Sequence, residues 1–147
     1  HGGGVALNVG GNLVIRGCSI INNNSGGPGG GIMLGGNSSI IHNTTIHNNA
    51  GGSGIYVENT ALDMKGCTLS NNVSGVGGGL YVKNVTGEDL VEIKSTIIEN
   101  NAATSGHGGG IYNENAVTTL VHLPALLVVH SGAAVCAQHM ELVSAYA

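Results

Sequence analysis

A chain of 147 residues with 27 Gly, no Trp or Phe, only 8% charged residues and a formal net charge of -4 has too few cations to coat phosphates, which argues against a nucleic-acid partner. Its 41% hydrophobic content argues against disorder, which goes with low hydrophobicity and high net charge. No run approaches the ~20 apolar residues of a membrane-spanning helix, and the apolar segment Leu123 to Val129 is broken by Pro124.

Three phrases follow one another in the first unit: Gly2-Gly3-Gly4-Val5-Ala6-Leu7, then Leu13-Val14-Ile15-Arg16, then Cys18-Ser19-Ile20-Ile21-Asn22-Asn23. The second unit repeats them as Gly29-Gly30-Gly31-Ile32-Met33-Leu34, Ser39-Ile40-Ile41-His42 and Thr44-Thr45-Ile46-His47-Asn48-Asn49. The third reads Gly52-Ser53-Gly54-Ile55-Tyr56-Val57, Leu62-Asp63-Met64-Lys65 and Cys67-Thr68-Leu69-Ser70-Asn71-Asn72. The fourth reads Gly77-Gly78-Gly79-Leu80-Tyr81-Val82, Val91-Glu92-Ile93-Lys94 and Thr96-Ile97-Ile98-Glu99-Asn100-Asn101, and a fifth opens at Gly108-Gly109-Gly110-Ile111-Tyr112-Asn113. Units this short cannot bury a core alone and must stack. Apolar residues alternate with a period of two, so each phrase is a strand and helical repeats are excluded. The fold class that follows is all-β, a parallel β-helix of about four to five coils with three short strands per coil.

Stacking predicts inward columns: Val5, Ile32, Ile55, Leu80, Ile111; Ile15, Ile41, Met64, Ile93; and Ile20, Ile46, Leu69, Ile98. Cys18 and Cys67 hold one position two coils apart, nearly 10 Å at the ~4.8 Å strand spacing, which is too far for a disulfide. They are expected as small inward core residues. The Asn pairs suit turns, because Asn tolerates the left-handed conformation, and their stacked amides can bond along the column. A loop of two to six residues then leads to the next glycine triplet, where backbone turns with positive φ or passes close to the next coil. His1-Gly2-Gly3-Gly4 matches His107-Gly108-Gly109-Gly110, so the chain is expected to continue into further coils of a longer solenoid.

The Gly-Gly-Gly-Ile-Tyr phrase following x-Ile-x-Asn-Asn resembles the right-handed parallel β-helix repeats of polymorphic outer-membrane proteins and related pectate-lyase-like surface proteins. Their motifs are Gly-Gly-Ala-Ile and Phe-x-x-Asn, and this chain carries Ile20, Ile46, Leu69 and Ile98 where the second motif has Phe. The resemblance covers residues 1–115. It implies export and display on the outside of the cell, with surface glycans or a host or neighbouring cell surface as partners. Residues 116–147 lose the Gly and Asn pattern and read as a degenerate last coil with strands at 119–122 and 126–129, a cap, or an irregular tail. Met140 to Tyr146 is expected as a short helix.

Several side-chain sets invite a functional reading. Arg16, His42, Lys65 and Lys94 form an outward cationic column, either a site for acidic sugars or a solvated face paired with Asp63 and Glu92. Tyr56, Tyr81 and Tyr112 share one outward position and form a ring ladder, either a contact for glycans or a structural stack. His42 and His47 flank one turn, and no carboxylate or Cys recurs beside them to complete a metal site. Glu88, Asp89 and Glu92 are the one local acidic group, in the insertion Val85 to Leu90, with no second carboxylate cluster of the kind glycoside hydrolysis or a calcium-assisted lyase uses. Sequons begin at Asn23, Asn37, Asn43, Asn72 and Asn84. No catalytic, cofactor or metal set emerges. The reading is a non-enzymatic extracellular or outer-surface scaffold, an adhesin-like stalk or display segment. The alternative is a fragment of a carbohydrate-active or glycan-binding β-helix protein.

Overall fold

Short apolar runs bounded by Asn and Gly can pair only with their own repeats above and below, and the computed structural model shows that arrangement. It describes residues 2–86 and 89–116, with strand backbone alone at 118–122, 128–129, 135–137 and 140–144. Coil one holds β1 (Val5–Leu7), β2 (Asn12–Arg16) and β3 (Ser19–Ile21); coil two holds β4 (Gly29–Leu34), β5 (Ser38–His42) and β6 (Thr45–His47). Coil three holds β7 (Ser53–Glu58), β8 (Ala61–Lys65), β9 (Thr68–Ser70) and β10 (Val73–Val76). Coil four holds β11 (Leu80–Lys83), β12 (Val91–Lys94), β13 (Ile97–Glu99) and β14 (Ala102–His107). Beyond them run β15 (Ile111–Glu114), β16 (Thr118–His122), β17 (Val128–Val129), β18 (Val135–Ala137) and β19 (Met140–Ser144).

Three parallel sheets run along the stack, in the orders β1-β4-β7-β11-β15-β18, β2-β5-β8-β12-β16-β19 and β3-β6-β9-β13-β17. They are called the first, second and third sheet below. The registers join Ile32 to Ile55, Ile41 to Met64 and Ile46 to Leu69, so the inward columns are those read from the repeats. Ile32, Ile41, Ile46, Ile55, Leu69, Leu80, Ile98 and Ile111 are fully buried. Among the described residues there is no helix.

Three expectations are corrected. The stretches after the third and fourth Asn pairs, read as loops, form a further parallel pair, β10 with β14. Asn24, Ala50 and Val73 already bridge one another in register, so the longer segments find a neighbour at coil spacing and satisfy their backbone groups there. Cys67 is buried, with its thiol donating to the Ile41 carbonyl at 3.2 Å, but Cys18 is exposed, with its thiol turned to the Arg16 carbonyl at 3.3 Å; both thiols are free. Met140–Ser144 is a strand rather than a helix, pairing parallel with β16 in register, from Thr118 with Met140 to His122 with Ser144, and so satisfying its backbone groups in the second sheet.

The coil turns at left-handed residues. Asn22, Asn48, Asn71 and Asn100, the first of each Asn pair, have φ of 57, 55, 54 and 52°. A second corner uses Gly17, Asn43, Gly66 and Ser95, and a third uses Asn59, Asn84 and Asn115. Asn and Gly visit this region at little cost, whereas other side chains crowd the following carbonyl.

The second Asn of each pair points inward and bonds along the stack. The amide Nδ2 of Asn49 donates to Oδ1 of Asn72 at 2.9 Å, and that of Asn72 to Oδ1 of Asn101 at 2.9 Å. Each same Oδ1 also accepts the backbone N–H of the preceding Asn, at 3.1 and 2.9 Å. The remaining amide protons reach the carbonyls of Ile20, Ile46 and Leu69, from Asn49, Asn72 and Asn101, at 3.0, 3.0 and 2.9 Å. Asn49 and Asn72 are wholly buried and use both donors and both lone pairs. Gly31, Gly54 and Gly79, which precede Ile32, Ile55 and Leu80 of the first sheet, pack on this column. A Cβ at Gly54 would lie 2.8 Å from the Asn72 amide and 2.8 Å from the Gly79 carbonyl, and one at Gly79 would lie 2.9 Å from the Asn101 amide.

Asn72→Asp tests the column. The introduced carboxylate still accepts from Asn49 but has no proton for the Asn101 Oδ1 or the Ile46 carbonyl, which costs roughly 3 kcal/mol or more at neutral pH. Burial against two acceptors, the Asn101 Oδ1 and the Ile46 carbonyl, outweighs the donors from Asn49 and raises its folded pKa above the ~3.9 of an unfolded Asp, so the folded state holds the proton more tightly and relative stability falls as pH rises past about 4. Melting temperatures of the variant and parent should converge toward pH 3 and separate toward pH 7.

Candidate functional site: the tyrosine face and its groove

The first sheet's outer face carries the rings. Tyr56, Tyr81 and Tyr112 are partners in register across β7, β11 and β15, because each follows the inward Ile or Leu by one residue. Ring centroids lie 5.1 Å apart for Tyr56 and Tyr81, with an 88° interplanar angle, and 5.0 Å apart for Tyr81 and Tyr112, at 58°. The His107 ring stacks on Tyr112 at 6.0 Å.

The ladder expected to face solvent is largely covered. Tyr56 is only 4% exposed, and Tyr81 and Tyr112 are half-buried. Rings set edge-on to one another hide each other's faces. Two residues beyond each ring, in the same outward direction, stand Glu58, Lys83 and Glu114, again in register. The Tyr81 hydroxyl donates to the Glu114 carboxylate, Lys83 pairs with Glu114 at 3.6 Å, and Tyr56 feels the Glu58 carboxylate. Desolvation by burial, then these carboxylates, push both phenols well above the ordinary tyrosine range.

Unequal loops carve a groove beside the rings. The turn after β6 spends only Ala50 and Gly51, whereas the segments on either side, Asn24 to Pro28 and Val73 to Val76, are longer. A cavity of about 380 Å³ results, floored by Gly51, Gly52 and Tyr56 and walled by Gly26–Pro28 and Ser74–Val76, with Tyr81 and Lys83 at its end. A Cβ at Gly52 would meet the Gly27 carbonyl at 2.2 Å, so glycine is what lets the floor pass under the wall. The carboxylate partners were readable as a Tyr-x-Glu spacing in Tyr56 to Glu58 and Tyr112 to Glu114. The walls were not, because they depend on the loop lengths of neighbouring coils.

The other candidate sets stay apart. Arg16, His42, Lys65 and Lys94 align in register on the second sheet, but His42 Nε2 meets Asp63 Oδ2 at 3.0 Å and Lys94 Nζ meets Glu92 Oε2 at 2.7 Å. The column is thus a mixed-charge face, with Asp63 and Glu92 side by side. Asp89 is exposed and Val85 is buried in the core, while Glu88 and His1 lie outside the described residues. Among the described residues no three His, Cys, Asp or Glu converge as metal ligands. Of the sequon residues, Asn72 is buried in the amide column, while Asn37 and Asn43 are exposed.

The raised phenols set an alkaline limit. In the folded state Tyr56 and Tyr81 keep their protons above the pH, about 10, at which unfolded tyrosines lose them. The unfolded state then binds fewer protons, so stability falls as pH rises past 10. A melting series from pH 8 to 11 should show this decline, and Tyr56→Phe should flatten it.

No curated protein and no solved structure matches the chain. One family model does, over residues 1–122, and its description is "Right handed beta helix region". With coils, corner residues and parallel registers in agreement over that span, the chain belongs to the right-handed β-helix family.

Proposed function

We propose that the chain is a rigid segment of an extracellular or outer-surface β-helix, an adhesin-like stalk or display scaffold. The observation that carries this reading is the division of labour around the coil. Inward amides and apolar columns lock successive coils together, while changes of length fall at corners, in the segments after the Asn pairs and in the insertion between β11 and β12, and leave the sheets in register. Charged groups on the outer faces pair with one another, as His42 with Asp63, Lys94 with Glu92 and Lys83 with Glu114, which suits a neutralised, soluble exterior. The resemblance of the glycine and Asn phrases to polymorphic outer-membrane proteins supports placement outside the cell. An epitope inserted between Gly26 and Gly27, where Gly26 borders open space, should be labelled on intact cells that make the full-length protein. Labelling seen only after permeabilisation would overturn the surface placement.

A second reading, glycan binding, is favoured by the groove with its tyrosine floor and the Lys83 ammonium at its end. Its ring contacts would be Tyr81 at the end of the groove and Tyr112 on the ladder beyond it, since Tyr56 offers almost no surface. On a glycan array the Tyr81→Ser/Tyr112→Ser double variant should lose retention at least tenfold, about 1.4 kcal/mol. Equal retention by variant and parent leaves the scaffold reading alone.

A further inference from the structure

One backbone register of the first sheet runs from Ala6 through Met33, Tyr56, Tyr81 and Tyr112 to Cys136, so that after Ala6 it carries oxidisable residue types. With no Trp in the chain, its tyrosines are the groups most readily oxidised to ring radicals. Three of the four are here, and the fourth, Tyr146, lies outside the described residues. A phenol gives up an electron readily only when its proton has somewhere to go. The Tyr81 hydroxyl already donates to the Glu114 carboxylate, which can take its proton.

Geometry separates the two ring pairs. Tyr56 meets Tyr81 at 88°, edge to face, and is buried, which shields it from an oxidant in solution. Tyr81 and Tyr112 are both half-buried, keeping some surface open to solvent, and lie 5.0 Å apart, tilted at 58°, a separation only slightly longer than that of two directly bonded rings. Holding reactants at such range replaces a bimolecular encounter with an intramolecular one.

We infer that Tyr81 and Tyr112 form an oxidative cross-linking site, at which hydrogen peroxide acting through a haem peroxidase couples the two rings as dityrosine. Each tyrosine yields one electron to the oxidised haem. Tyr81 passes its phenolic proton to Glu114 and Tyr112 passes its own to water. The two phenoxyl radicals join through the ring carbons next to oxygen, forming one C–C bond, and the two displaced ring hydrogens return to the oxygens. Two electrons and two protons have left the protein, and one peroxide has become two waters. The product ties β11 covalently to β15.

The test is to treat the folded chain, dilute enough to suppress coupling between molecules, with peroxidase and hydrogen peroxide. The expected result is an intact mass lower by two hydrogens, dityrosine fluorescence, and one cross-linked peptide pair joining Tyr81 to Tyr112. Tyr81→Phe and Tyr112→Phe should each abolish the pair, Tyr56→Phe should retain it, and Glu114→Gln, checked for an unchanged circular dichroism spectrum, should slow its formation roughly tenfold. Chain denatured before oxidation should lose the preference for this pair. Unchanged mass, a link through Tyr56 or Tyr146, or the same pattern from denatured chain would overturn the assignment.

Discussion

The buried amide column is the constraint on which the rest of the solenoid depends. A polar side chain in an apolar interior is tolerated only when its donors and acceptors are all met, and an Asn has no way to meet them within its own coil. Asn49 and Asn72 meet them by reaching both neighbouring coils, which fixes the axial spacing and forbids a slip in register. The apolar columns alone would tolerate sliding, since Ile on Leu resembles Ile on Ile. The amides make only one alignment acceptable.

That column also explains the glycine phrase. Gly31, Gly54 and Gly79 lie against the amides of Asn49, Asn72 and Asn101, so the two phrases that recur along the chain are the two sides of one contact. Either alone would be a poor choice: buried Asn needs close backbone, and glycine in a strand weakens it unless something packs there. The adjoining Thr positions work similarly, with Thr44 and Thr96 bonding back to the carbonyls of His42 and Lys94 and contacting the backbone N–H of Cys18 and Cys67.

Most of the scaffold was legible in the chain because a stacked repeat writes each inward position several times over. Ile20, Ile46, Leu69 and Ile98 announce one column by being alike, and the register confirms it. The Asn pair was legible as a turn but not as two roles, since the left-handed first Asn and the bonding second Asn are the same residue type. Ser95 in a left-handed corner was hidden for the opposite reason, as its neighbours in that column are Gly and Asn. The tyrosines were placed correctly in register and wrongly in exposure. Outward direction follows from the period of two, but cover comes from residues in other coils, and nothing in Ile55-Tyr56-Val57 records that Pro28 and Val76 flank that ring.

The amide column is also an electrical object. Asn23, Asn49 and Asn72 each donate one amide proton to the Oδ1 of the Asn in the next coil, ending on Asn101, so the linked C=O and N–H groups point the same way and their dipoles add along the axis. As in a helix, aligned dipoles leave partial charge at the ends, negative toward the first coil and positive toward the last. The solenoid therefore has a built-in polarity independent of its ionised side chains. A residue meeting the first-coil end is favoured if it brings a donor or a positive charge, and one meeting the opposite end if it brings an acceptor or a negative charge.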